Sequence, residues 1–275
     1  MVTRFCVIRQ ASRKHHGCHP LEAQISGDGS PLVVLHGLFG SARNWGGIAR
    51  GLEDIRQTHA LDQRNHGASP WSDEMTYPDM SEDVAAYILR RGLAPCDLLG
   101  HSMGGKTAMV LALSRPELIE RLIIVDIPPA ASAEGDHGDL IRAMQGLNLN
   151  RPLRRADADA ELAPAIPDPT LRAFLLQNLI TDGDRFRWRL NLAGIAANLP
   201  ALIGFPDIDT PFPGPTTFLA GERSDYIRPR HEGRIRQLFP KARLVEIGET
   251  GHWPHAERPE KFLAMVRGAL DESLL

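Results

Sequence analysis

The chain has 275 residues, a length that fits one large α/β domain or two small domains with a sizeable core. Charged residues make up 24%, hydrophobic residues 43%, and the net charge is −3, which excludes a strong attraction to nucleic acid or an anionic membrane surface. No apolar run approaches the roughly 18 residues that a membrane span needs, and the N-terminus lacks a signal-peptide pattern. Only three cysteines occur, and none form a C-x-x-C pair, so we expect a cytoplasmic protein.

Strand-like apolar runs alternate with helical patterns such as residues 79–91 and 259–270. Eight strands are predicted, at residues 5–8, 21–25, 31–35, 59–62, 97–101, 122–126, 216–220 and 243–247. Continuous apolar strands that are separated by helices are typical of a parallel sheet covered on both faces. We therefore predict an α/β fold with a mostly parallel eight-stranded sheet and helices on both faces.

One long segment interrupts this alternation. Residues 128–215 show no clear strand and are rich in Ala, Leu, Asp and Pro, with a helical pattern clearest at 171–176. The segment is too long for a plain loop in a compact domain. We interpret 128–215 as an inserted helical cap, and 1–127 together with 216–275 as the α/β core.

The most informative motif is G-H-S-M-G at residues 100–104. A strand pattern precedes it and a helical pattern follows it, so a tight turn would expose the Ser102 hydroxyl above an edge of the sheet. Gly100 and Gly104 remove side chains where the strand and the helix approach each other. Ser102 is therefore the candidate nucleophile.

A serine hydroxyl near neutral pH is a poor nucleophile unless an oriented base lies within hydrogen-bond reach. His252 follows the last predicted strand directly and is the candidate general base. His255 is interpreted as structural or as a residue at the rim of the pocket, and His66 as structural. The backbone N–H groups of Leu38 and Met103 are candidates for an oxyanion hole, because both lie in turns beside the proposed nucleophile.

The third member of a catalytic triad is an acid, and two aspartates compete for that role. Asp126 ends the strand that follows the nucleophile helix, and Asp225 follows the first strand after the cap. Either carboxylate, at a loop tip, would fix the tautomer of His252 and stabilise its imidazolium form. The residues alone leave this choice open.

Five motifs together resemble the α/β-hydrolase superfamily, and within it a group of small bacterial carboxylesterases with mitochondrial relatives. They are H-G-L-F-G at 36–40, D-Q-R-N-H-G at 62–67, G-H-S-M-G-G at 100–105, V-D-I-P at 125–128 and G-H-W at 251–253. The resemblance covers nearly the whole chain. It implies the α/β-hydrolase fold, cofactor-independent hydrolysis of short acyl esters or acyl thioesters, and Asp126 as the acid. The sequence departs from the group by carrying Asp225 as well.

The expected partner is thus a small acyl ester or thioester, bound without a metal or other cofactor. Four aromatic side chains are candidates to line the acyl pocket beneath the cap: Phe39, Phe174, Phe186 and Trp188. Aromatic residues in a helical segment also form ordinary apolar cores.

Other activities occur on this scaffold, including carbon–carbon bond hydrolysis, a lyase reaction of menaquinone synthesis, and ligand reception without catalysis. The first two use polar or basic cap residues to bind a carboxylated substrate. Arg185, Arg187 and Arg189 are candidates for this, although their spacing is also typical of an exposed ladder. Dehalogenases and epoxide hydrolases are disfavoured, because they place Asp where Ser102 stands.

Overall fold

The structure, a computed structural model, describes residues 18–132, 137–151, 154–183 and 185–271. The strands of these residues are β1 (Ala23–Ser26), β2 (Ser30–Leu35), β3 (Arg56–Leu61), β4 (Cys96–His101), β5 (Ile119–Val125), β6 (Leu179–Asp182), β7 (Arg185–Trp188), β8 (Thr216–Gly221) and β9 (Ala242–Ile247). Strands β6 and β7 form a separate hairpin, and the others form one sheet.

The helices of the same residues are α1 (Gly46–Arg50), α2 (Tyr77–Arg91), α3 (Met103–Ser114), α4 (His137–Gly146), α5 (Arg155–Leu162), α6 (Pro169–Leu176), α7 (Leu192–Ile203), α8 (Glu232–Leu238), α9 (Pro254–Glu257) and α10 (Pro259–Leu270). Short 3₁₀ turns add Ala42–Trp45, Pro116–Leu118 and Pro229–His231. No helix in the described part of the chain is long and apolar enough to span a membrane.

The main sheet has the strand order β1-β3-β2-β4-β5-β8-β9. Strand β1 pairs antiparallel with β3, and every other neighbouring pair is parallel, which confirms the predicted α/β fold. The described residues give this sheet seven strands rather than the predicted eight. The remaining prediction, a strand at residues 5–8, lies outside the described residues.

Alternate residues of the central strands belong to two separate apolar cores, as the two-residue period of a strand requires. Val33 and Leu35 of β2 pack with α2, α3 and α8 on one face of the sheet. Leu32 and Val34 pack with α1 and α10 on the other face. Burial on both faces explains why these strands are continuous apolar runs.

Residues 128–215 connect β5 to β8, which are neighbours in the sheet. The segment contains α4 to α7 and the β6–β7 hairpin, so the prediction that it lacks strands was wrong. The hairpin pairs Leu179 with Trp188 and turns at Gly183, whose φ of +63° suits glycine. Its strands have four residues each, too few to show a clear period, but the Asp-Gly pair at 182–183 is a hairpin signal.

Candidate active site

Ser102 lies at the tight turn between β4 and α3, with φ of +51° and ψ of −118°. Its N–H donates to the carbonyl of Val125 at 3.0 Å, which fixes this strained backbone to the neighbouring strand. A Cβ at Gly100 would lie 2.3 Å from the carbonyl oxygen of Gly104. One at Gly104 would lie 2.5 Å from the carbonyl oxygen of Leu35. The turn therefore requires glycine at both positions.

His252 lies in the loop between β9 and α9, with its ring beside the serine. Its Nε2 is 3.0 Å from Ser102 Oγ, and its Nδ1 is 2.7 Å from Asp126 Oδ2. The ring of Tyr226 stacks on the imidazole, with centroids 4.0 Å apart and an interplanar angle of 20°. The serine and imidazole, which are 150 positions apart in the sequence, are thus in hydrogen-bond contact.

Three further contacts hold the backbone around His252. His101 Nε2 donates to the carbonyl oxygen of His252 at 2.8 Å. The carboxylate of Glu257 accepts from the N–H groups of Gly251 and Trp253, at 2.8 Å and 3.1 Å. The residues on both sides of His252 are therefore anchored to the first turn of the following helix.

Asp126 follows β5 with φ of +51°, and its carboxylate is fully buried. Its Oδ1 accepts from the N–H of Gly221 at 3.1 Å, and its Oδ2 accepts from the Ser224 hydroxyl as well as facing His252. Asp225 lies on the surface, with its side chain 86% exposed and paired with Arg228. The structure thus brings Asp126, and not Asp225, to the imidazole.

The loop that carries Leu38 curls beside Ser102. Phe39 has a left-handed φ of +64°, its N–H donates to His66 Nε2 at 3.2 Å, and its carbonyl accepts from Asn178 Nδ2 at 2.8 Å. Leu38, Ser102 and Met103 all line one small cavity. His66 is buried and holds this loop from behind, as expected of a structural residue.

Several buried histidines near the site are uncharged. His66 Nε2 accepts from Phe39, so its proton is on Nδ1, which donates to the carbonyl of Arg64 at 2.9 Å. Burial lowers the pKa of His66 and of His255 to about 3 in each case. His255 stacks on Trp45, with centroids 4.5 Å apart, rather than facing the serine.

Arg64, from the D-Q-R-N-H-G motif, is also buried. Its Nε donates to Asp83 Oδ2 at 2.7 Å, and its other nitrogens donate to the carbonyls of Glu74 and Asp79. The carboxylate of Asp62 instead accepts from the N–H groups of the chain at Ala42 and Ala68. This motif therefore holds the turns behind the Phe39 loop in place.

Two cavities meet at Ser102. We call the first the tryptophan cavity; its volume is about 230 Å³, and its lining includes Phe39, Leu140, Leu171, Phe174, His252 and Trp253. We call the second the lysine cavity; its volume is about 30 Å³, and its lining includes Leu38, Tyr77, Met103, Lys106 and Leu202. Ser102 and Tyr226 border both cavities.

The four aromatic residues predicted to line the acyl pocket therefore divide into two pairs. Phe39 and Phe174 line the tryptophan cavity. Phe186 and Trp188 lie on the β7 strand and line neither cavity, contrary to the prediction. Trp188 is buried in the apolar cluster of the inserted segment, where its Nε1 donates to the Met144 carbonyl at 3.0 Å.

The site also contains residues that the sequence interpretation did not include. Tyr226 and Glu257 support His252, and Lys106 lines the lysine cavity. Lys106 carries a detectable signal, since it is a lone charge in an apolar helix four positions after the proposed nucleophile. Arg185 and Arg187 are exposed and line neither cavity at Ser102, and no group of metal-binding side chains occurs among the described residues.

Comparisons with known proteins agree with this architecture. The family model for the α/β-hydrolase fold matches residues 30–259. The chain is 39% identical to the mouse "sn-1-specific diacylglycerol lipase ABHD11", over 97% of this chain and 91% of that protein. It is 31% identical to "Esterase YbfF" of Escherichia coli, over 91% of this chain and 96% of that protein. A solved structure described as "Marine microorganism esterase" has a TM-score of 0.88 and 36% identity, covering 91% and 99% of the two chains.

The chain therefore belongs to the α/β-hydrolase family. Its similarity to these relatives extends over most of the sequence. Within the family it is a carboxylesterase-type hydrolase, of the esterase and lipase kind.

The buried neutral state of His66 makes folding sensitive to acid. The unfolded residue titrates near pH 6.5 and the folded residue near 3, so the unfolded state binds more protons below pH 6.5. We expect this histidine alone to reduce the free energy of unfolding by about 2 kcal/mol between about pH 7.5 and about pH 5. Urea denaturation at both pH values measures this change. Between about pH 7.5 and about pH 5, the free energy of unfolding should fall less in His66→Gln than in the wild-type protein, by about 2 kcal/mol. Equal losses would contradict the buried neutral assignment.

Proposed function

We propose that this protein is a serine hydrolase that cleaves short-chain carboxylic esters or acyl thioesters through an acyl-enzyme intermediate. The observation that carries the proposal is the continuous chain of contacts from Ser102 Oγ to His252 and from His252 to buried Asp126. In this chain of contacts a hydroxyl, an oriented base and a buried acid meet the requirements for an activated serine.

In the first half-reaction Ser102 Oγ attacks the acyl carbonyl carbon while His252 Nε2 takes the hydroxyl proton. The N–H groups of Leu38 and Met103 stabilise the oxyanion of the tetrahedral intermediate, and Asp126 stabilises the imidazolium. The bond to the leaving group then breaks. The leaving alcohol or thiol takes the proton from His252, and the acyl group stays on Ser102.

In the second half-reaction water replaces the leaving group. His252 takes a proton from water, the hydroxide oxygen attacks the acyl carbonyl carbon, and the same N–H groups stabilise the second oxyanion. Collapse returns the proton to Ser102 Oγ and releases the carboxylic acid. Neither half-reaction needs a metal or an organic cofactor, because the chain supplies the nucleophile, the base and the charge stabilisation.

The preference for short acyl groups rests on the size of the two cavities. A volume of about 230 Å³ on one side of Ser102 and about 30 Å³ on the other leaves room for small substituents on either side of the scissile bond. We infer that residues 128–215 act as a cap, since Leu140, Leu171 and Phe174 from this segment form one wall of the tryptophan cavity. A cytoplasmic location remains a prediction.

Loss of the nucleophile gives the first test of this activity. We expect Ser102→Ala to lower kcat for p-nitrophenyl acetate and butyrate by at least about 10⁴-fold. The same variant should lose the rapid covalent labelling by a fluorophosphonate that we expect of the wild-type protein. A non-catalytic ligand receptor would instead label slowly and turn over neither ester. Thermal unfolding of both proteins controls for loss of the fold.

The two candidate acids give the second test. We expect Asp126→Asn to lower kcat by about 10³- to 10⁴-fold, because the amide no longer stabilises the imidazolium or the productive tautomer. Asp225→Asn is the matched control: it makes the same change on an exposed side chain, and we expect it to retain wild-type kcat. Initial rates with p-nitrophenyl butyrate measure both. A large loss of kcat in Asp225→Asn, with kcat retained in Asp126→Asn, would overturn the assignment.

A further inference from the structure

Lys106 is the only charged residue in α3, and only 1% of its surface is exposed. It lies four positions after Ser102, in the first turn of α3, and its N–H donates to the Ser102 carbonyl at 3.0 Å. Burying an unpaired ammonium costs folding free energy, so the buried face of a helix normally lacks such a group. The proposed mechanism gives this charge no role.

The surroundings of Lys106 compensate its charge only in part. Its Nζ donates to the carbonyl oxygens of Ile203 and Gly204, at 2.7 Å and 2.8 Å, at the end of α7. The Tyr77 ring lies 5.6 Å away. No carboxylate of the described residues pairs with Nζ, and burial alone lowers its pKa to about 7. An ammonium has three N–H donors, and these two carbonyls use two of them.

The same lysine and the serine border one space. The lysine cavity is lined by Ser102 and Lys106, with apolar walls that include Leu38, Met103 and Leu202. Its volume of about 30 Å³ fits a group the size of a carboxylate, because one water molecule requires about 10–15 Å³. A small anion that is covalently attached to an acyl group on Ser102 would therefore occupy the cavity that Lys106 borders.

We propose that Lys106 is a specificity-determining residue that binds the free carboxylate of a short dicarboxylic acyl group. The substrate class is then the half-esters or half-thioesters of three- or four-carbon dicarboxylic acids. This inference rests on the proposed function, because it assigns the acyl side of the same scissile bond. The third N–H donor of Lys106 binds the carboxylate, and the substrate supplies the negative charge that the surrounding side chains lack.

The wild-type protein tests the inference without any substitution. Ethyl hydrogen malonate and ethyl isovalerate have nearly the same shape, since a carboxylate replaces an isopropyl group; ethyl hydrogen succinate and ethyl isocaproate form a second pair. We expect kcat/KM to favour the half-ester in at least one pair, measured as ethanol released. Preference for the neutral ester in both pairs would overturn the inference. Failure with all four esters would contradict the proposed function instead.

Substitution of the lysine then assigns the preference to one residue. We expect Lys106→Met to raise KM for the preferred half-ester by about 10-fold or more, while KM for its neutral isostere changes little. Asn198→Ala is the matched control: it removes contacts of α7 to the carbonyl of Asp73 and the N–H of Met75, outside the lysine cavity. It should leave the ratio between the two esters unchanged. If Lys106→Met raises KM equally for both esters, the lysine is purely structural and the inference is overturned.

Discussion

The site depends on one constraint: the C-terminal ends of three parallel strands lie on the same side of the sheet. Ser102 follows β4, Asp126 follows β5 and His252 follows β9, and the hydrogen bonds of His252 join the other two. Ser102 and Asp126 both have positive φ values, which turn their side chains out of the strand direction. Such backbone is tolerated only where the surrounding structure holds it, and here the carbonyls of Val125 and Leu219 do so by accepting from the N–H groups of Ser102 and Asp126.

Burial sets the electrostatics around this chain of contacts. Asp126 is inaccessible to solvent, and its carboxylate accepts three hydrogen bonds, which compensate for the loss of its contacts with water. The neighbouring histidines behave differently, since burial keeps His66 and His255 neutral and leaves them as fixed hydrogen-bond partners or stacking surfaces. Of these three imidazoles, only that of His252 lies in hydrogen-bond contact with the Ser102 hydroxyl, whereas His66 bonds to the Phe39 loop and His255 stacks on Trp45.

Much of this was predictable from the sequence. The alternation of apolar runs gave the parallel sheet, and the 100–104 motif with the late histidine identified the two side chains now found in contact. The choice between Asp126 and Asp225 could not be made from residues alone, because both lie in loops that follow strands, and only three-dimensional packing exposes one and buries the other. The hairpin was missed because four-residue strands show too little period, and this error also misplaced Phe186 and Trp188.

Trapping the acyl-enzyme intermediate is the strongest test of the proposed serine mechanism. The protein is mixed with p-nitrophenyl acetate, quenched in acid within the first turnover, digested and analysed by mass spectrometry. We expect an acetyl group on Ser102 that forms and decays at least as fast as steady-state turnover. Turnover without that adduct, or an acetyl group of competent rate on another residue, would contradict it.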